Sequence, residues 1–318
     1  MTLLKPVERL QLALIAAVIV CDLALLWRGP MTMAATDALK PLIGGLVAAG
    51  AGLYYRHVRG EERLAVALLG TAFLIWFSCG IGTLNYLAVA FDRPLIDEML
   101  LGWDRALGID WPTLFVALKS TPLLGLLLTL AYASSLLQVA IVVPVLALLG
   151  KTERLDRFFL AFILSAAATI GFWAAFPSFG AATYLFATGA VTELPGAVVD
   201  QAYAKSLLAL KAGMMPHIVL GEMKGLIAFP SFHTVMAVLT VYAAAAVPRA
   251  FWPAMIWNAI VLISVPVDGG HHVVDIFAGL AVAYAAIASA DWICRRLARP
   301  ALVGVPARRS RPDALPAA

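Results

Sequence analysis

Eight long apolar runs set the terms on which this chain folds. They occupy residues 10–27, 39–55, 64–90, 122–149, 156–176, 230–247, 250–267 and 271–294. A helix crosses a bilayer with about 20 mostly apolar residues, over a range of about 17–25. In hydrocarbon every backbone polar group must find its partner inside the protein, and a helix does this within one segment. The runs therefore predict an all-α integral membrane protein with about eight transmembrane helices. Composition agrees: the chain is 62% hydrophobic and 13% charged, whereas a soluble domain is about 45–50% apolar and about 25% charged. The second and seventh runs are short. No stretch is long and polar enough for a separate soluble domain, and no internal repeat is visible.

The first run follows the basic residues Lys5 and Arg9, contains Asp22 and ends without a small-x-small cleavage pattern. It reads as a retained helix, not a signal peptide. Residues 295–318, rich in Arg, Pro and Ala, read as a basic, disordered tail. Cys21, Cys79 and Cys294 lie in or beside apolar runs, without metal-ligand spacing, and read as buried small residues. The net charge of +4 is spread over loops and tail. It suits a membrane surface, and no aromatic-interleaved basic stretch points to nucleic acid.

Two connections are long, 91–121 and 177–229. In the first, Trp103-Asp104-Arg105 and Trp111-Pro112 suggest a helix in the interface. The second holds a short amphipathic stretch around Tyr203–Lys211, and long loops of this kind often act as lids. With eight spans both termini share one side, and fifteen of the 23 Lys and Arg residues fall there. The positive-inside rule makes that side cytoplasmic. The runs starting at 230 and 271 then begin on the opposite face, where both long loops also lie.

Those two starts carry the chemistry. One reads Phe229-Pro230-Ser231-Phe232-His233-Thr234, the other Asp268-Gly269-Gly270-His271-His272-Val273-Val274-Asp275. Ionisable groups within membrane segments are costly and are functional candidates. His271 and Asp275 are four apart, so one helix face carries both. A carboxylate there fixes the imidazole tautomer and leaves the other ring nitrogen nucleophilic. Pro230 suits the start of a helix, and Ser231 is placed to offer its hydroxyl or N–H to phosphate oxygens. Two helix N-termini favour an anion. A nucleophilic His, an orienting Asp and a second His as acid and base compose a phosphoryl-transfer site that works through a phosphohistidine, without metal or other cofactor.

Pro-Ser-x-His followed by His-x-x-x-Asp resembles the type 2 phosphatidic acid phosphatase superfamily. Gly-Leu-Ile-Ala-Phe-Pro-Ser-Phe-His with Pro-Val-Asp-Gly-Gly-His-His-Val-Val-Asp looks most like its inositolphosphotransferase branch, which includes inositol phosphorylceramide synthase. The stretch from Arg93-Pro94 to Trp111 is also similar to bacterial members. The resemblance covers residues 64–294, roughly the last six spans. It implies two N-terminal helices over 1–60 added to a six-helix catalytic core over 61–294. It also implies His271 as nucleophile, Asp275 as its partner and His233 as the acid and base, with His272 where the branch often has Tyr. Two departures stand out. Ser264-Val265 replaces the Ser-Arg pair that grips phosphate in the phosphatases, and Tyr86 stands where an upstream Lys is expected. Both fit a transferase whose phosphodiester donor carries less charge. Lys224, Arg93 and Lys119 are the candidates for compensating charge, and Asp268 either binds an acceptor hydroxyl or shapes the Asp-Gly-Gly turn.

The implied activity moves a phosphoryl or phospho-head group from a phospholipid to a lipid or sugar hydroxyl at the extracytoplasmic face. The alternative is a lipid phosphate phosphatase with water as acceptor. A transporter is the rival class, but it is expected to show related halves and broken helices at the midplane. Other polar residues have plainer readings. Tyr132, Ser134, Ser135 and Gln138 suit helix–helix hydrogen bonding. Trp103 and Trp111 suit an interfacial belt, and Asp22 and Glu222 suit satisfied interface positions. His217 is a residue of the second long loop, where a lid role is open.

Overall fold

A computed structural model describes residues 3–298. The predicted tail therefore falls outside the described residues from 299 onward. Among the described residues the protein is helical almost throughout, and each of the eight apolar runs is helical. They become α1 (Pro6–Arg28), α2 (Ala35–Tyr54) and α3 (Glu62–Ala88), after which α4 (Asp97–Ala106) and α5 (Trp111–Lys119) occupy the first long connection. The fourth run is α6 (Pro122–Ala133) with α7 (Ser135–Leu148), followed by α8 (Thr152–Ala175). The second long connection carries α9 (Ala181–Ala187) and α10 (Gln201–Lys211). The chain ends in α11 (Phe232–Ala244), α12 (Pro248–Asp268) and α13 (Val274–Ala298).

Five helices (α1, α3, α8, α12 and α13) are each long and apolar enough to cross a membrane, and a sixth span arises if α5 and α6 count as one bent segment. The remaining runs are helical but shorter or less apolar. Backbone hydrogen bonds from Ser134 to the Leu130 carbonyl and from Gln138 to the Ser134 carbonyl bridge α6 and α7. The 106° bend between α5 and α6 falls at Thr121-Pro122. There the residue before proline takes an extended conformation, as the ring of proline demands.

The interior is built from α3, α7, α8, α11 and α13. Phe77 packs edge-on against Phe162 at 5.6 Å, and Phe158, Phe159 and Leu160 fill the space around them. In a bilayer such packing depends on close contact more than on water exclusion. Gly279 illustrates this, because a Cβ there would lie 2.6 Å from the Ser231 carbonyl. Its absence lets α13 lie against α11. The N-terminal helices join this body. Arg56, in the turn that follows α2, donates to both oxygens of buried Glu8 at 2.7 Å, and also reaches Glu62.

At the other end the connections fold over the starts of α11 and α13. Gly270 adopts a left-handed backbone (φ +63°), and a Cβ on it would press into Ala182 and Val199. Its carbonyl accepts from the Ala182 N–H at 3.1 Å. A two-residue parallel pairing of β1 (Thr32–Met33) with β2 (His217–Ile218) ties the α1–α2 connection to the same cap.

Candidate active site

The two sequence motifs meet at this capped end. The Ser231 N–H donates to the Asp275 carbonyl at 3.1 Å, which joins the start of α11 to the first turn of α13. His271 lies in the turn before α13, not within the helix as its run suggested, because Gly269-Gly270 reverse the chain there. Its side chain still reaches Asp275. Nδ1 lies 3.1 Å from Asp275 Oδ2 and 2.9 Å from the Ala228 carbonyl. Both neighbours are acceptors, so Nδ1 carries the proton and Nε2 keeps its lone pair.

His233 faces this ring edge-on, with centroids 6.1 Å apart. It is held by stacking on Tyr132 at 4.1 Å. Among the described residues no hydrogen bond occupies its ring nitrogens. Tyr132 is thus part of the site's wall, although its position in α6 suggested helix contact alone. The neighbouring polar residues do make helix contacts: Ser134 accepts from Trp257 Nε1, and Gln138 accepts from Asn258.

Trp111 is a second departure. It is 1% exposed, and its Nε1–H donates to the His271 carbonyl at 2.9 Å. An indole that reads as an interfacial anchor instead clamps the backbone of the histidine turn. Trp103, by contrast, is exposed.

Next door, His272 sits in a different environment. Its Nε2 is 3.2 Å from Asp97 Oδ1 and its Nδ1 is 3.7 Å from Asp104 Oδ2, with all three side chains fully buried. Burial opposes a charge on this imidazole. The close carboxylate of Asp104 and the hydrogen bond to Asp97, with the charges of Asp275 and Asp97, outweigh that penalty and push its pKa up to about 9. Asp97 also accepts from the Ser178 hydroxyl and from the N–H groups of Phe179 and Gly180. Asp104 accepts from the N–H groups of Val273 and Val274, both at 3.0 Å.

That last contact corrects one expectation. The N-terminus of α13 is not open to an anion, because Asp104 of α4 already caps it. The start of α11 remains: Ser231 caps the Thr234 N–H with its hydroxyl oxygen, while the N–H groups of Phe232 and His233 have no partner among the described residues. Ser231 links the motifs through its N–H and caps its own helix through its side chain, so its N–H is not available to phosphate. Asp97 and Asp104 were not singled out as site residues in the sequence. Their signal is nonetheless present, since a spacing of seven puts both on one face of α4 together with buried Leu100 and Leu101.

The proposed charge suppliers are scattered. Lys119 Nζ pairs with Asp268 Oδ1 at 2.6 Å, where the Thr129 hydroxyl also donates at 2.7 Å. This buried pair holds α5 and α6 to the end of α12. Arg93 is exposed in the first connection, and its carbonyl accepts from Lys211 Nζ at 2.9 Å. Lys224 is exposed, with its N–H on the Tyr86 hydroxyl at 2.7 Å and its Nζ 5.4 Å from the Tyr203 ring. Val265 is fully buried, so no cation replaces the absent arginine at that position. Asp22, expected to be satisfied, is buried against Gly80 with Oδ1 unpaired. Cys21 is exposed on α1, and only Cys294 of the three cysteines is buried.

The family model described as PAP2 superfamily matches residues 98–289, a stretch that contains both histidine motifs. No curated protein and no solved structure matches the chain.

Proposed function

The chain belongs to the PAP2 superfamily, whose members are phosphatases and phosphotransferases, and on that premise we propose that it is a membrane lipid phosphotransferase working through a phosphohistidine on His271. The observation that carries this reading is the His271 ring. Nδ1 is fixed by Asp275 and the Ala228 carbonyl, Nε2 has no partner among the described residues, and the His233 ring lies 6.1 Å away between centroids. In the first step Nε2 attacks phosphorus, the bond from phosphorus to the leaving oxygen breaks, and His233 delivers a proton to that oxygen. As the charge on His271 grows, Asp275 stabilises it. In the second step His233 takes a proton from an incoming hydroxyl. The new oxygen–phosphorus bond forms and the phosphorus–nitrogen bond breaks, which regenerates both histidines. The free N–H groups at the start of α11 are placed to hold phosphate oxygens.

Transfer to a lipid or sugar hydroxyl is favoured over hydrolysis by the scarcity of free cations. Val265 replaces the expected arginine, and Lys119 is paired with Asp268. A phosphodiester donor, with one negative charge fewer than a phosphomonoester, needs less compensation. The motif resemblance to the inositolphosphotransferase branch supports the same choice. The distribution of Lys and Arg favours an extracytoplasmic site with both termini cytoplasmic. The test is a labelled phospholipid donor incubated with purified protein in lipid nanodiscs. Acid-labile label is expected on the wild type, more of it on His233→Ala and none on His271→Ala. Label that persists in His271→Ala would refute the nucleophile, and release of free phosphomonoester as the sole product, with hydroxyl acceptors present, would make the protein a hydrolase with water as acceptor.

A further inference from the structure

Beside the histidines lies a cavity of roughly 460 Å3, walled by α3, α10 and the segment leading into α11. Its polar lining comprises Tyr86, Tyr203, Ser206, His217, Glu222 and Lys224. Most of these groups are already committed. The Tyr203 hydroxyl donates to the Gly225 carbonyl, the Ser206 hydroxyl to the Ala202 carbonyl at 2.9 Å, and the Tyr86 hydroxyl accepts from the Lys224 N–H. His217 Nδ1 is bonded to the Thr32 hydroxyl at 2.5 Å. Two full charges of opposite sign are left, Glu222 and Lys224. Both are exposed at the cavity, and neither forms an ion pair with the other or with any described residue. The rest of the wall is apolar, with Leu207, Leu210 and Leu226 prominent.

The cavity and the histidines share a wall. Leu226 lines the cavity, and two residues further on the Ala228 carbonyl holds His271 Nδ1. Two residues span at most about 7 Å, so the segment that walls the cavity runs on within that distance to the carbonyl that holds His271.

We propose that this cavity binds the head group of a zwitterionic phospholipid, with the phosphodiester toward Lys224 and a primary ammonium toward Glu222, and that this lipid is the donor. The proposal rests on the phosphotransferase reading for the word donor, but not for the binding itself. A neutral polyol head leaves Glu222 without a counter-charge, and most of the lining hydroxyls already hold one bond within the protein. A purely anionic head leaves Glu222 facing it with like charge. A head with one charge of each sign meets both unpaired groups, Glu222 and Lys224, which lie two positions apart on the cavity wall. The apolar wall suits the start of the acyl chains. The strap from Thr32 to His217 brings the α1–α2 connection, outside the family match, to the cavity's rim.

The experiment uses the full chain carrying His271→Ala, which prevents turnover, and measures lipid retained through purification from nanodiscs. The nanodiscs contain phosphatidylethanolamine, phosphatidylglycerol and phosphatidylinositol in equal amounts. Phosphatidylethanolamine is expected to be retained about tenfold over the others, a difference of about 1.4 kcal/mol. Glu222→Gln should remove that preference by lowering phosphatidylethanolamine retention and raising that of phosphatidylglycerol, and Lys224→Gln should lower retention of all three. Glu222 lies on an exposed turn, so folding is not at stake. Equal retention, a preference for phosphatidylinositol, or indifference to Glu222→Gln would overturn the proposal. Ethanolamine-lipid preference without any His271 label would uphold the cavity and sink the phosphotransferase reading. Label without the preference would do the reverse.

Discussion

His271 and His272 are neighbours in the chain and occupy opposite circumstances. His271 has one nitrogen held by a carboxylate and a carbonyl and the other free toward His233. His272 has each nitrogen turned to a buried carboxylate, Asp97 on one side and Asp104 on the other. The first arrangement prepares an imidazole to react. The second turns an imidazole into a charged pin that fastens α4 and the loop before α9 to the start of α13. One peptide bond therefore separates the proposed reactive centre from the ionic centre beside it, and Asp275 serves both, since its Oδ2 also accepts from the His272 N–H at 3.0 Å.

The widest break in this comparison comes from truncating each ring in turn. His271→Ala should lower turnover of a phospholipid donor by more than about 10³-fold, as loss of a covalent nucleophile does, with little change in thermal unfolding. His272→Ala leaves two buried carboxylates without a cation and should cost about 3–5 kcal/mol of stability. Paired activity and thermal-unfolding measurements on both variants decide it. A stable, inactive His272→Ala protein would reverse the two roles.

Acidity separates the two histidines next. The pKa of His272 is raised to about 9 in the folded protein, above a reference of about 6.5. Its contribution to stability is therefore fully present below about pH 6.5 and is lost as pH rises through about 9. The unfolding temperature should fall over that window in wild type. The fall should shrink in Asp104→Asn, which removes one of the two anions that hold the charge. An unchanged slope in that variant would show that His272 is not the titrating group.

The contact of His271 with Asp275 was legible because its signal is local. His271 and Asp275 sit four apart at the head of an apolar run, and His233 follows Pro-Ser at the head of another. The ionic half was not, because Asp97 and Asp104 meet His272 across about 170 residues of chain, and nothing in either segment alone names the other. The eight apolar runs gave the helices for the same reason that they gave the membrane: each satisfies its own backbone. What they did not reveal was the cap. Trp111, Tyr132 and Lys119 all have ordinary readings as membrane-protein residues. Their roles against His271, His233 and Asp268 follow from how α4, α5 and α9 fold over the helix starts, a matter of tertiary contact.

Trp111 offers the finest test, because it touches the reactive histidine only through the backbone. Trp111→Phe keeps an aromatic ring against Phe115, whose centroid lies 5.6 Å away, and removes one hydrogen bond to the His271 carbonyl. Leaving that carbonyl buried and unpaired should cost about 1–3 kcal/mol. If the bond only stabilises the fold, Phe115→Leu, which disturbs the same cluster without touching His271, should lower activity to the same degree at equal loss of stability. If it positions the turn, Trp111→Phe should lower kcat by about tenfold with KM unchanged, since misplacement of a reacting atom acts on the chemical step. Phe115→Leu should then leave kcat nearly intact. Equal kcat losses in the two variants would reduce Trp111 to a packing residue. The contrast between the two histidines would then rest on side-chain contacts alone.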